Sequence, residues 1–234
     1  MEETDSPRQP DWASIGVTLS RDVGCFEQAK LRMLNAAHST LAYIGCLIGL
    51  ETVGKAITQP ELRIFLEALL SQDIEPTLTG RSPDELAAYR RSIRQRFENP
   101  AIRHLLDQIA CDGSQKLPVR VFPTASETLH RGALVARLAV PIAAWMHFIR
   151  SRSLSGKPIV DPLQNELTGW ALSCSGEVAH DLPPLLALPH LFPERFVRDQ
   201  RFTSALGEAY QRIERDGPVA AMRMAGGAAG SSPP

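Results

Sequence analysis

Lys30–Gly49, KLRMLNAAHSTLAYIGCLIG, is the stretch around which the rest of this 234-residue chain is read. Most of it is apolar, and its alanines and glycines permit close packing, which predicts a helix at the centre of a domain rather than on its surface. Lys30, Asn35 and His38 are set among the leucines. On an α-helix, at about 100° per residue, Asn35 lies roughly 140° and His38 roughly 80° round from Lys30, in the arc that Leu34 and Leu41 share. Burying an amine, an amide and an imidazole costs several kcal/mol unless each finds a partner. Spacing alone leaves two readings open: the three face one cavity, or each is satisfied separately in a core or interface.

Working outward, the segments around this helix are also helical in pattern. Thr58-Gln-Pro-Glu61 and Ser82-Pro-Asp-Glu85 read as capping boxes with Pro in the first turn. They open helices carrying Leu62, Phe65, Leu66, Leu69 and Leu70, and then Leu86, Ile93 and Phe97, at helical spacing. Past Pro100, the residues Ile102, Leu105, Leu106 and Ile109 predict a further helical face. Asp112 to Pro123 reads as a turn and short helix. Gly132 precedes a long apolar helix with Leu134, Leu138, Ile142, Trp145 and Ile149, kinked by Pro141. Shorter helices follow over Asp161–Trp170 and Glu177–Leu188, the latter broken by Pro183 and Pro184. Phe202, Leu206, Ala209, Tyr210 and Ile213 mark a last amphipathic helix. Ser14 to Val23 alternates weakly and suits one short strand at most. The expected fold is all-α: residues 1–10 a disordered lead-in, 11–216 one multi-helix domain, and 217–234 a disordered low-complexity tail.

Composition limits the function classes. Apolar residues make up 44% and charged residues 22%, ordinary for a globular protein. A formal net charge of −1 argues against a nucleic-acid or membrane-surface partner. Arg90, Arg91, Arg94, Arg96 and Arg103 are diluted by Asp84, Glu85 and Glu98 and read as a solvated helical face. Cys25, Cys46, Cys111 and Cys174 lack CxxC pairing and read as reduced thiols of a cytoplasmic protein. No His/Cys/carboxylate run has zinc spacing, so no metal is expected. His104, His130, His147, His180 and His190 are scattered and read as structural or exposed.

Lys30-x4-Asn35-x2-His38, inside KLRMLNAAHSTLAY, resembles the signature of the polyol-specific long-chain dehydrogenases, a family that includes mannitol 2-dehydrogenase and fructuronate reductase. DWASIGVTLSRDVGCFEQAK, leading into the helix, and NPAIRHLLDQIACDGSQKLPVR, from Asn99 to Arg120, agree with it. The likeness covers about Asp11 to Asp216, which corresponds to the C-terminal half of a family member. It implies a helical substrate and catalytic domain, like that of mannitol dehydrogenases and, in arrangement, of 6-phosphogluconate dehydrogenases, although the Lys-Asn-His order fits the latter less well. It implies hydride exchange between a polyol or hexonate and its keto form with NAD or NADP. Lys30 would be the general base, its amine depressed in pKa by an apolar setting. Asn35 would hold substrate or the lysine, and His38 would donate to the reacting oxygen. Lys116 and Arg120, in GSQKLPVR, would bind substrate hydroxyls or a uronate carboxylate, with a solvated helix face as the equal alternative.

No GxGxxG follows a strand, and no alternation of strands and helices allows a dinucleotide-binding sheet. The cofactor would therefore be bound mainly by a domain absent from this chain, either because the gene is a fragment or because that domain sits on a separate polypeptide or a full-length relative, leaving the isolated chain inactive. The alternative is a degenerate, non-catalytic helical domain kept for association with such a relative.

Overall fold

A computed structural model describes Ser14 and residues 23–228. The expected lead-in, residues 1–10, and most of the weak strand pattern over Ser14–Val23 lie outside them. Among the described residues there is no β-strand, only an isolated antiparallel bridge between Thr52 and Leu105. The all-α expectation holds.

The first helical rod runs without a break from Val23 to Leu47, as α1 (Val23–Ala29), a π-helical segment (Lys30–Asn35) and α2 (Ala36–Leu47). In α2 every residue from Ala36 to Gly45 except His38 is buried, as the Gly/Ala-rich sequence requires. Further helices follow: α3 (Val53–Ile57), α4 (Pro60–Ala68), α5 (Pro83–Glu98), α6 (Leu106–Ile109), α7 (Gly113–Arg120) and α8 (Phe122–His130). The chain then enters α9 (Ala136–Leu154), buried without interruption from Arg137 to Arg150. A helix hidden on all sides is a core helix, and α9 lies between α2 on one side and α13 (Gln200–Ala228) on the other. The remaining elements, α10 (Gln164–Ser173), α11 (Val178–Leu186) and α12 (Glu194–Arg198), pack around that central layer. Trp145, Tyr43 and Tyr210 are its largest fully buried side chains.

Local signals succeed and fail for identifiable reasons. Ser82 and Glu85 form the reciprocal capping box. Thr58 does not cap α4: its hydroxyl instead donates to the Lys55 carbonyl at the end of α3, and Gln59 takes the cap position. Ile102 and Leu105 precede α6 rather than belonging to it, because the segment pairs with Thr52 and its amide and carbonyl groups are used there: Val53 N–H donates to the His104 carbonyl and Leu106 N–H to that of Glu51. Leu134 likewise precedes α9 and is exposed. Pro183 and Pro184 sit within α11 without ending it.

The low-complexity tail needs correction. Gly217, at φ 81°, breaks the helical path, yet the chain resumes as helix to Ala228. Ala221, Met222 and Ala225 are buried, and Arg223 pairs with Glu61 of α4 at 2.9 Å. Alanines and methionines at helical spacing form a narrow apolar stripe that composition alone conceals. Residues 229–234 lie outside the described residues.

Candidate active site

The π-helical segment supplies what α-helical spacing alone does not. A π-helix bonds i to i+5, so residues five apart lie about one turn above each other. Lys30 and Asn35 bound this segment and share a side of the rod, instead of standing well over a right angle apart as expected for an α-helix. Asn35 and His38, three apart where the α-helix resumes, are again neighbours on one face. Single π turns inside α-helices are found frequently at functional sites.

Lys30 is exposed, and Asn35 and His38 are half-buried. The apolar enclosure expected for the Lys30 amine is thus absent among the described residues, although Met33 and Leu34 near it in the chain are buried. Among the described residues neither the Lys30 amine nor the Asn35 side-chain amide has a hydrogen-bonding partner. His38 rests on Phe97, with ring centroids 4.6 Å apart, and meets His104 edge-on at 5.8 Å. Its Nε2 is buried with no hydrogen-bond partner. Burial pushes the imidazole down to about 4, helped by the nearby His104, Arg120 and Arg96, so it is neutral at physiological pH. His104 was expected to be structural or exposed; it forms part of this wall. Its position inside NPAIRH, one of the stretches that carries the family likeness, was the available signal.

Helix α7 brings up the second wall. Gly113 opens it against the core: a Cβ there would lie 2.1 Å from Trp145 Nε1 and 2.8 Å from the Tyr43 hydroxyl, so glycine is what allows the close approach. The Asp161 carboxylate, itself buried, accepts from the Ser114 amide at 2.9 Å and from its hydroxyl, capping a helix whose preceding residue, Asp112, is left-handed at φ 55°. At the far end, Arg120 Nη1 donates to the Asn35 carbonyl at 3.3 Å and to Ser39 Oγ at 3.1 Å. Arg120 therefore stands beside Asn35 and His38. Lys116 is held apart from them, donating to the Ile109 carbonyl at 3.2 Å and facing Asp112 at 3.8 Å. Burial lowers the pKa of both cations, and for Lys116 the charge of Arg120 adds to it. The solvated-face reading fails for Arg120, which is half-buried and anchored. Among the described residues no group of three or more His, Cys, Asp or Glu side chains could hold a metal ion, and no helix is long and apolar enough to cross a membrane.

Residues 22–214 match the family model for the mannitol dehydrogenase C-terminal domain. The chain belongs to that family. It is 37% identical over 207 residues to D-mannonate oxidoreductase of Escherichia coli (strain K12), covering 88% of this chain and 42% of that protein. It is 31% identical over 222 residues to a mannitol 2-dehydrogenase of Aspergillus fumigatus, covering 93% and 43% respectively. The ternary complex of Pseudomonas fluorescens mannitol 2-dehydrogenase with NAD and D-mannitol superposes with a TM-score of 0.82 at 27% identity, over 92% of this chain and 44% of the other. The chain thus spans less than half the length of the relatives it matches.

Proposed function

We propose that this mannitol dehydrogenase-type domain binds and activates the substrate in an NAD- or NADP-dependent oxidation of a polyol or hexonate. The nucleotide would be held by a domain outside the described residues, which contain no βαβ turn able to cradle a pyrophosphate. The observation that carries the reading is the π turn at Lys30–Asn35, which gathers Lys30, Asn35 and His38 on one side of a single rod. That side also holds an unpartnered buried imidazole nitrogen. The family membership supports it.

A bound nicotinamide would supply the hydride acceptor for oxidation of the carbinol carbon and the hydride donor for the reverse reaction. The work of this chain concerns the oxygen. Lys30 takes the hydroxyl proton as the C–H bond breaks, so that the C–O bond becomes a carbonyl, and gives the proton back in reduction. His38, neutral and with Nε2 unsatisfied, hydrogen-bonds the same oxygen. Asn35 orients the substrate through its side-chain amide, while Arg120 holds the Asn35 backbone in place. The exposure of Lys30 fits a site that is completed only when a second domain closes over it.

Fusing the chain to a nucleotide domain taken from a full-length relative tests this reading. The fusion should bind cofactor and reduce keto-sugars or ketouronates. A folded fusion that binds cofactor but turns over none of mannitol, fructose, fructuronate, tagaturonate or arabinitol would favour a degenerate domain kept for association.

A further inference from the structure

A cavity of about 540 Å³ that shares no residue with the candidate site opens between α4 and the part of α13 that follows the Gly217 kink. Small-molecule sites occupy roughly 300–1,000 Å³. Ile64, Phe65, Ala68 and Met222 give the cavity apolar walls, and Ile64 is 67% exposed, among the most exposed large apolar side chains of the domain. The polar wall is Arg137 of α9, only 8% exposed. Arg137 Nε donates to Asp73 Oδ2 at 2.5 Å and Nη2 to Oδ1 at 3.4 Å, while Nη1 makes no hydrogen bond among the described residues. A buried donor without an acceptor is costly. Asp73 belongs to a second π-helical segment, Leu69–Ile74, and π turns are found frequently at functional sites. That segment packs against the first one, Lys30–Asn35.

We propose that this cavity binds a small uncharged molecule with an apolar body and one carbonyl oxygen, held by Arg137 Nη1, and that the bound molecule acts on the candidate site through the two packed π segments. The charge balance selects an uncharged ligand. Asp73 already neutralises Arg137, and Glu61 pairs with Arg223 at 2.9 Å on the same cavity. A further anion would gain little from either cation and would meet both carboxylates. A carbonyl oxygen accepts from Nη1 and leaves both pairs intact. The coupling follows from the shared guanidinium. A ligand on Arg137 draws on the group that holds Asp73, so the π turn carrying Asp73 shifts or stiffens, and Lys30–Asn35, packed against it, responds. The effect is reciprocal by linkage. Neither binding nor coupling depends on the catalytic reading above, since both are read without turnover.

Acetophenone, ethylbenzene and benzoate are close in shape and differ in the acceptor they carry: a carbonyl, none, and a charged carboxylate. Each is titrated into the whole chain while two NMR signals are followed, the Met222 methyl, assigned with Met222→Leu, and the His38 imidazole, assigned with His38→Gln. Acetophenone should shift both with one midpoint, about tenfold below the midpoints of ethylbenzene and benzoate at Met222. Ala68→Leu fills the cavity from a half-buried position on α4 and should silence both signals with helical circular dichroism retained. Arg137→Lys keeps a cation for Asp73 without a spare nitrogen, and should bring acetophenone down to the level of ethylbenzene. A Met222 methyl unmoved by acetophenone would overturn the site. So would binding that appears only once residues 229–234 are removed, which would assign the cavity to that segment. Tightest binding by benzoate would overturn the uncharged ligand. A shift at Met222 with none at His38, or His38 shifts that persist in Ala68→Leu, would overturn the coupling.

Discussion

Asp181→Asn should destabilise the domain sharply, although it removes no atom from the core. Asp181 is 1% exposed. Its carboxylate accepts from the Tyr210 hydroxyl at 2.6 Å, from the amides of Ser175 and Gly176 at 2.8 Å each, and from His180 Nδ1 at 2.8 Å. It thereby ties α11 to α13 and to the loop after α10. Desolvation alone would raise its pKa, but these donors together outweigh burial and hold it at about 2 instead of 3.8. An asparagine keeps the shape but turns one acceptor oxygen into an NH2 that faces donors. Removing one side of a buried charged network costs about 3–5 kcal/mol. At roughly 2–4 °C per kcal/mol for a domain of this size, the melting temperature should fall by about 6–20 °C. The pH dependence follows from the same carboxylate. Its folded pKa lies below its unfolded one, so its stabilisation is complete above about pH 4 and is lost as the pH falls towards 2. A shift from 3.8 to about 2 corresponds to about 2.4 kcal/mol. Differential scanning calorimetry at pH 7, with chemical denaturation at a series of pH values from 5 to 2, measures both effects. An Asp181→Asn protein that melts within about 2 °C of the original, or that retains its full loss of stability below about pH 4, would refute the network as described.

Gly113→Ala should cost about 1–3 kcal/mol or more, because its Cβ would collide with Trp145 and Tyr43, two rings fixed in the core; an unchanged thermal midpoint would show that α7 can back away. Removing residues 218–234 should lower stability by about 2–4 kcal/mol, since Ala221, Met222 and Ala225 are buried; denaturant titration of the shortened chain checks this, and a loss near zero would return the segment to the status of a loose tail. His38 should titrate by NMR near 4 and stay neutral at pH 7. Its folded pKa lies below its ordinary value of 6.5, so its contribution to stability is present above about pH 6.5 and is lost as the pH falls towards 4. A midpoint at or above 6.5 would contradict the burial described for its ring.

Much of this was legible in the residues, and the parts that were not share a cause. Ser82 and Glu85 form their capping box because both partners lie within one turn, so local sequence settles the matter. The long buried run of α9 was visible in its apolar residues, as was the core placement of Leu41, Tyr43 and Ile44. The π turn was not, because KLRMLN has no composition that distinguishes i+5 from i+4 bonding. Its effect was to bring Lys30 and Asn35 closer round the helix than α-helical arithmetic allows. His104 escaped notice for a related reason: it reaches His38 from an extended segment whose position depends on pairing with Thr52, a contact across half a hundred residues. The exposure of Lys30 also runs against the sequence. An apolar neighbourhood along the chain does not bury a side chain that points away from it.

The central claim is that Lys30 is the proton acceptor, and kcat/KM of the fusion with and without its amine measures it most directly. Lys30→Ala should cost about 10²–10⁴-fold at unchanged cofactor affinity, the loss typical of a positioned general base. Lys30→Arg should do little better, since a guanidinium does not give up its proton near neutral pH. His38→Ala should retain more activity than either, as it removes a hydrogen-bonding group and leaves the base. Equal kcat/KM in the Lys30→Ala and unaltered fusions would contradict the mechanism.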